Sequence, residues 1–164
     1  MAERISKNYL DVFKSKGYSW EYILNHMLAK YGVLLHGSRV DISDDYIRPN
    51  YEGNVFATDL ASIAILKAIF SNKGLINPGL QYGWFINEKN PLILKIHGIQ
   101  EYTIGSEGFI YIIPDRSGFR NEPEGSWQYV KKRTNVPYSL KIKVLREDFK
   151  YPIFDVTNNL WIAR

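Results

Sequence analysis

Apolar residues recur with a helical period in the N-terminal part of the chain. The residues that share one face after Ser19 are Ile23, Met27 and Tyr31. Ser19 is predicted to be the N-cap, because its hydroxyl can accept a hydrogen bond from the free N–H groups of a first helical turn. Gly32 is predicted to end the helix, because glycine readily adopts the left-handed conformation found after many helices. Residues 1–31 are therefore predicted to form a helical N-terminal part.

A second and more apolar helix is predicted over residues 60–70. Lys67 is the one charged residue in this stretch, so the helix is expected to be largely buried. Thr58 or Asp59 is expected to cap its N-terminus, since both side chains accept hydrogen bonds from backbone N–H groups.

Strands are predicted almost throughout the chain beyond this helix, and at two short apolar runs before it. Two of the later strands flank a polar turn and are expected to pair as a hairpin. The continuous apolar run at 108–113 is typical of a central strand, and the alternation over 138–144 predicts a strand with one face in water. Helices followed by strands indicate an α+β fold of two packed sheets with a helical flank. The predicted strands are residues 34–36, 55–56, 82–86, 92–96, 108–113, 126–130, 138–144, and, as edge strands, 153–156 and 160–162.

Composition narrows the class of protein without naming a function. The chain has 164 residues, 45% of them hydrophobic and 23% charged, which is typical of one globular domain. It has no cysteine, which excludes disulfides, thiolate catalysis and thiolate metal sites, and no metal is expected. The N-terminus lacks the apolar core of a signal peptide, and no apolar run is long enough for a membrane span. A cytoplasmic location without membrane contact is expected.

The net charge of +4 includes a cluster formed by Lys131, Lys132 and Arg133. Such a cluster can contact nucleic acid or an acidic protein. It is equally typical of a solvated strand end followed by a loop, and the sequence leaves both interpretations open.

Three short motifs occur in an informative order. His-Gly-Ser-Arg at 36–39 ends an apolar strand, Phe-Ala-Thr-Asp at 56–59 precedes the apolar helix, and Ser-Trp-Gln-Tyr-Val at 126–130 lies on a late strand. In this order they resemble the ADP-ribosyltransferases of the diphtheria-toxin and poly(ADP-ribose) polymerase branch, in which the three elements carry a His, a Tyr and a Glu around NAD. The resemblance implies that residues 1–164 form a single domain, a split β-sandwich with N-terminal helices and NAD in the cleft between its halves.

The reaction of that family is cleavage of the bond between nicotinamide and ribose. Its transition state is close to an oxocarbenium ion, so positive charge develops on the sugar. A catalyst therefore needs hydrogen bonds to the ribose hydroxyls, a stacking surface for nicotinamide and an anion near the developing cation.

The resemblance assigns the first motif to NAD binding. His36 corresponds to the histidine that bonds a ribose hydroxyl, and Gly37 would let the backbone approach the nicotinamide carboxamide. Ser38 is the small hydroxyl that follows, and Arg39 extends the match to the His-Gly-Ser-Arg of the polymerases. The alternatives are a structural histidine and a solvent-facing arginine, because the tripeptide alone is a weak signal.

The second motif supplies the aromatic residue. Phe56 corresponds to the tyrosine that stacks on nicotinamide, and it keeps the aromatic face without the hydroxyl. Ala57 and Thr58 complete this NAD-binding element, and the alternative is that Phe56 belongs to the core. Lys67 stands where the family has a second stacking tyrosine, with Phe70 as a candidate substitute.

Gln128 occupies the position of the catalytic glutamate. It is nearly isosteric with glutamate and can accept a hydrogen bond, but it brings no negative charge, and losing one such stabiliser typically slows a reaction by about 10²–10³. Gln128 is open to three interpretations: a substitution made to disarm a toxic enzyme, a natural replacement with weak or redirected activity, or a misaligned register. Ser126 is not the Glu or Gln that arginine-modifying relatives carry, which disfavours arginine as acceptor.

The function expected from the resemblance is NAD-dependent mono-ADP-ribosyl transfer by a small bacterial or phage-related toxin. His36, Phe56 and Gln128 are the expected catalytic residues, NAD is the donor, and the acceptor is a protein or nucleic acid, with an antitoxin as a further partner. The loops at 41–50 and 115–125 are expected to border the cleft, and Arg48 to reach the NAD pyrophosphate. The alternatives are a silent module that binds NAD or ADP-ribose, and a basic nucleic-acid-binding domain.

Overall fold

The computed structural model describes residues 7–70, 83–87, 90–96, 104–155 and 157–163. Two helices, α1 (Lys7–Ser15) and α2 (Trp20–Tyr31), form the N-terminal part, and positions 1–6 of that prediction lie outside the described residues. The hydroxyl of Ser19 accepts a hydrogen bond of 3.2 Å from the backbone N–H of Tyr22. Gly32 has a φ of 62° and its N–H donates to the carbonyl of Leu28. Both predicted ends of α2 are confirmed.

One further helix and twelve strands follow among the described residues. In chain order they are β1 (Leu34–Ser38), β2 (Tyr46–Ile47), β3 (Asn54–Thr58), α3 (Ala61–Ile69), β4 (Gly83–Asn87), β5 (Asn90–Ile96), β6 (Glu107–Ile113), β7 (Arg120–Asn121), β8 (Gln128–Lys132), β9 (Val136–Pro137), β10 (Leu140–Leu145), a 3-10 turn (Arg146–Asp148), β11 (Ile153–Asp155) and β12 (Leu160–Ala163).

The strands form a mixed helix-and-sheet structure in which pairing is mostly antiparallel. A six-stranded sheet has the order β10-β6-β1-β3-β8-β7, a four-stranded sheet has the order β12-β11-β5-β4, and β2 pairs with β9. The predicted hairpin is confirmed as β4–β5, and β6 is an interior strand as expected. The prediction that β11 is an edge strand is wrong, because β11 lies between β5 and β12, pairing in parallel with β5.

Both faces of the six-stranded sheet are covered. On one face α2 and α3 pack over Leu35 of β1 and over Ile110 and Ile112 of β6. On the other face, Leu34 and Tyr111 pack with residues of the β2–β9 pair. This double burial explains why β6 reads as a continuous apolar run, whereas β10 alternates between buried and exposed residues as predicted.

Helix α3 lies unusually close to the strands beneath it. A Cβ atom at Gly37 would overlap the carbonyl oxygen of Ala64, and one at Gly108 would overlap the carbonyl group of Ala68. The missing side chains at these two positions therefore allow α3 to approach β1 and β6. Helix packing thus requires glycine at position 37 independently of the expected close approach to a ligand.

The N-terminus of α3 differs from the prediction. The helix begins at Ala61, and Leu60 occupies the N-cap position without a side-chain hydrogen bond, so neither predicted cap is the N-cap residue. The hydroxyl of Thr58 accepts a hydrogen bond of 3.1 Å from the N–H of Leu60, and the carboxylate of Asp59 accepts one of 2.9 Å from the hydroxyl of Tyr129. Both side chains shape the turn before the helix.

In the described part of the chain, no helix combines the length and apolarity needed to cross a bilayer.

Candidate functional site

The six-stranded sheet divides between β1 and β3. Strand β1 pairs with β6 along its whole length, and β3 pairs with β8 along its whole length. Both β1 and β3 are fully described, and the register between them contains a single pair, Leu35 with Thr58. Beyond that pair, the Nδ1–H of His36 donates a hydrogen bond of 2.7 Å to the carbonyl oxygen of Phe56. One residue pair and one side-chain hydrogen bond thus link the two strands directly, and the two halves also share buried side chains such as Leu34 and Val55.

A cleft of about 290 Å³ opens at this division. It brings together residues from all three sequence motifs, although the first and third motifs are about ninety positions apart in the chain. The third motif reaches the cleft because β8 pairs with β3, which places Gln128 beside Thr58. The lining residues are Leu35, His36, Gly37, Phe56, Ala57, Thr58, Ile63, Lys67, Trp127 and Gln128.

His36 is held in one tautomer. A carbonyl oxygen only accepts, so the bond to Phe56 requires the proton on Nδ1 and leaves Nε2 of the neutral ring as an acceptor. Burial lowers the pKa of His36, and the bond to the Phe56 carbonyl only partly offsets this effect. The ring is therefore neutral at pH 7 and can accept a hydrogen bond from a hydroxyl group.

Phe56 belongs to the cleft wall and is not a core residue. Its side chain is 37% exposed, although the strand around it is largely buried. It also lines a second cavity of about 430 Å³, to which His36 contributes as well. The alternative that Phe56 is a plain core residue is therefore wrong, and two adjoining cavities share this pair of side chains.

The side-chain amide of Gln128 is held by a backbone carbonyl of the preceding loop. Its amide Nε2 donates a hydrogen bond of 2.9 Å to the carbonyl oxygen of Glu122, and its N–H donates to the hydroxyl of Ser126. The amide of Asn121 in turn donates to the Gln128 carbonyl at 2.9 Å. With the amide nitrogen bonded in this way, Oε1 remains the acceptor. A glutamate here would direct an oxygen at the Glu122 carbonyl, so the local backbone suits an amide.

Lys67 and Trp127 also line the cleft, although the sequence analysis assigned neither of them a role in binding. Lys67 lies in the cleft, and its burial lowers its pKa to about 8, so it is mainly cationic at pH 7. Trp127 is half-buried and adds a second aromatic side chain to the lining. Its position directly before Gln128 in the third motif is the signal that would have found it. Phe70, the candidate substitute for the second tyrosine, is 5% exposed and is not among the lining residues.

A pH-dependent stability difference is expected from Lys67. Its pKa is about 8 in the folded chain and about 10.5 when exposed, so folding opposes its charge. Lys67→Met should therefore stabilise the protein at pH 7, by at most about 3 kcal/mol for a shift of this size. The advantage should shrink as the pH rises from 8 towards 10.5, because the wild type then folds without a charge penalty. Urea unfolding of both proteins across this range measures the difference, and a constant difference would contradict a buried ammonium.

The remaining predicted binding residues occupy different places. Ala57 and Thr58 line the cleft, but the Thr58 side chain is buried and its hydroxyl is engaged at the start of α3. Ser38 lines the second cavity, where its hydroxyl accepts from the N–H of Val40. Arg39 is exposed, lies against Gly105 and is not among the residues that line either cavity.

The two loops that were expected to border the cleft lie beside it without contributing lining residues. The loop at 41–50 lines the second cavity, and its Arg48 forms an ion pair of 2.9 Å with Asp44. The loop at 115–125 reaches the cleft through the Glu122 carbonyl that holds Gln128.

The basic cluster is partly neutralised by its surroundings. Lys131 donates to the carbonyl of Ser117, and Lys132 pairs with Glu122 at 3.3 Å. These contacts favour the solvated strand end over a nucleic-acid surface.

Among the residues that the structure describes, no group of three or more metal-ligating side chains is found. Comparison with models of protein families, with curated proteins and with solved structures finds no match for this chain.

Proposed function

We propose that the chain is a NAD-dependent mono-ADP-ribosyltransferase related to the diphtheria-toxin and poly(ADP-ribose) polymerase branch. One observation carries the proposal: the three motifs that resemble this family meet in one cleft, at the point where a sheet divides into two halves. Motifs that matched by chance would have no reason to converge on one cavity from positions so far apart in the chain.

The geometry of the two cavities supports a ligand of two parts. The cavities share His36 and Phe56 and have volumes of about 290 and 430 Å³. NAD has two nucleoside halves joined by a pyrophosphate, so one half would occupy each cavity. Nε2 of His36 and Oε1 of Gln128 would accept hydrogen bonds from ribose hydroxyls, and Phe56 would stack on the nicotinamide ring.

In the proposed reaction the bond between the ribose C1′ and the nicotinamide nitrogen breaks, and the electron pair leaves with neutral nicotinamide. The acceptor then donates an electron pair to C1′ and loses a proton. The described lining of the cleft supplies hydrogen-bond acceptors to the developing cation but no carboxylate. The wild-type rate is therefore expected to be lower than that of a glutamate-bearing site by about 10²–10³.

A silent module that binds NAD or ADP-ribose is the second candidate. Two observations favour it: the Gln128 amide is held by the Glu122 carbonyl, and Lys67 adds positive charge to the cleft. Release of nicotinamide from NAD separates the two candidates. Turnover by the wild type or by Gln128→Glu supports the transferase, and binding without turnover in both supports the silent module.

The biological setting is part of the same proposal. A small bacterial or phage-related toxin acting in the cytoplasm would use a protein or nucleic acid as acceptor and would be paired with an antitoxin. The loop at 41–50 lines the second cavity, the loop at 115–125 contacts Gln128 of the cleft, and these loops are where the acceptor would be recognised. Transfer of labelled ADP-ribose from NAD to separate protein and nucleic-acid fractions would identify the acceptor class.

Phe56→Ala is expected to weaken NAD binding by about three- to tenfold, which corresponds to the loss of one aromatic stacking contact. The loss of stability should stay below the roughly 3–5 kcal/mol that truncating a fully buried Phe costs, because this residue is 37% exposed. Titration calorimetry measures the change in affinity. Tyr51→Ala is the matched control, since Tyr51 is 96% exposed and lines neither cavity. Equal NAD affinity in the Phe56 variant and the control would remove Phe56 from the site.

A further inference from the structure

The charge of the cleft bears on which ligand it takes. Among the described residues of its lining, Lys67 carries a positive charge at pH 7, His36 is neutral, and there is no Asp or Glu. The described lining of the cleft is therefore positive. NAD in its usual form places a positively charged pyridinium ring with a neutral carboxamide in such a site.

Lys67 is built into the wall of the cleft and is not a mobile surface side chain. It lies in the last turn of α3, and its Cβ is 2.9 Å from the point where a Cβ of Gly37 would lie. The close packing of α3 on β1 therefore fixes the start of this side chain over the Gly37 backbone. Phe56 and Trp127 belong to the same lining, so the cleft combines a cation with two aromatic side chains.

We infer that this cleft prefers a dinucleotide whose pyridine ring carries a carboxylate, namely nicotinic acid adenine dinucleotide, over NAD, and that Lys67 is the specificity-determining residue. This inference rests on the proposed function, because it specifies the ring that the same site takes. The aromatic side chains suit either ring, so the discrimination lies in the charge of the ring substituent.

The physical basis is the difference in charge between the two rings. The carboxamide form presents a net positive ring to an ammonium group, which is repulsive. The carboxylate form has a ring of zero net charge, and its carboxylate can accept a charge-assisted hydrogen bond from Nζ of Lys67, which is about twice as strong as a neutral one. Partial burial strengthens this difference, because the effective dielectric constant is lower than in water.

The same charge pattern has a consequence for the leaving group. When the C1′–N bond breaks, the electron pair moves to the ring nitrogen and the carboxylate form leaves as nicotinate, an anion. The ammonium of Lys67 would stabilise that anion, whereas neutral nicotinamide gains nothing from it. Preference for the acid form should therefore be seen in ligand binding and in any turnover.

The test is titration calorimetry of the whole chain with nicotinic acid adenine dinucleotide, NAD and ADP-ribose, for the wild type and Lys67→Met. Methionine preserves the length of the side chain and removes its charge. The wild type is expected to bind the acid form at least about tenfold more tightly than NAD, and the ratio should fall to about one in Lys67→Met. Lys143→Met is the matched control, because Lys143 is an exposed residue of β10 and lines neither the cleft nor the second cavity. ADP-ribose, which lacks the ring, should bind the wild type and both variants equally.

Each other outcome has a defined meaning. Equal affinity of the wild type for the two dinucleotides, or a ratio that persists in Lys67→Met, overturns the role of Lys67 and leaves the proposed function standing. Weaker binding of ADP-ribose to Lys67→Met shows that Lys67 contacts the pyrophosphate, and this too overturns the inference. Binding of none of the three ligands overturns the proposed function. Ligand-detected NMR with nicotinate and nicotinamide tests the ring preference separately, and nicotinate is expected to bind the wild type more tightly.

Discussion

Gln128→Glu is expected to raise the rate of nicotinamide release from NAD by about two orders of magnitude. The change would place one negative charge beside the proposed ribose site, where the oxocarbenium-like transition state would develop its positive charge, and one such stabiliser is typically worth about 10²–10³ in rate. NAD affinity should change little, because the positive charge of the ground state lies on the nicotinamide ring. The expected signature is a higher kcat with an almost constant KM.

The contacts of Gln128 determine how a glutamate side chain at position 128 would be oriented. It cannot donate to the Glu122 carbonyl, as the Gln128 amide does at 2.9 Å, so it should turn away from that oxygen. Lys67 lines the same cleft and would attract the carboxylate, which lowers the gain. Lys67→Met combined with Gln128→Glu should therefore be faster than Gln128→Glu alone. Gln128→Met, which has neither charge nor acceptor, is the control and should gain no activity. A glutamate variant that binds NAD and stays inert would exclude the transferase.

Gly108→Ala is expected to destabilise the protein by at least about 3 kcal/mol, the upper end of the usual cost of overpacking a core. The added Cβ would overlap the carbonyl group of Ala68, which is backbone in the last turn of the packed helix α3 and cannot move away without displacing the helix. For a chain of this size the loss corresponds to a fall in Tm of about 6–12 °C. Urea unfolding monitored by tryptophan fluorescence measures the change.

The control for this prediction is Ser106→Ala, two residues earlier, where the side chain is exposed. Surface changes of this kind usually alter stability by less than about 0.5 kcal/mol. If Gly108→Ala unfolded at the same urea concentration as the control, α3 would not lie against β6 as closely as the structure describes.

Local chemistry explains which features could be predicted from sequence. Ser19 and Gly32 were identified as the ends of α2 because capping depends on a few neighbouring residues. The β4–β5 hairpin and the alternation in β10 were predictable because side-chain direction in a strand has a period of two. The convergence of His36, Phe56 and Gln128 was expected from the family resemblance and not from local chemistry, and the cleft contains all three.

Features that depend on how elements pack were not predictable in the same way. The predicted N-cap of α3 was wrong. The Asp59 carboxylate instead accepts a hydrogen bond from Tyr129 of β8, and no local sequence pattern indicates that contact. Glycine is required at position 108 because α3 packs closely against β6 there. Trp127 lies in the cleft because β8 pairs with β3. The bond between Gln128 and the Glu122 carbonyl likewise depends on a loop conformation.

The central claim is that NAD binds in the cleft between β1 and β3, and thermal denaturation with and without NAD tests it most directly. A concentration of NAD one hundred times its Kd should stabilise the wild type by about 2.7 kcal/mol. For a chain of this size, that corresponds to a rise in Tm of about 5–10 °C. His36→Ala should remove the shift, because Nε2 of His36 is the proposed ribose contact. A wild-type melting curve that does not move in millimolar NAD would contradict the claim.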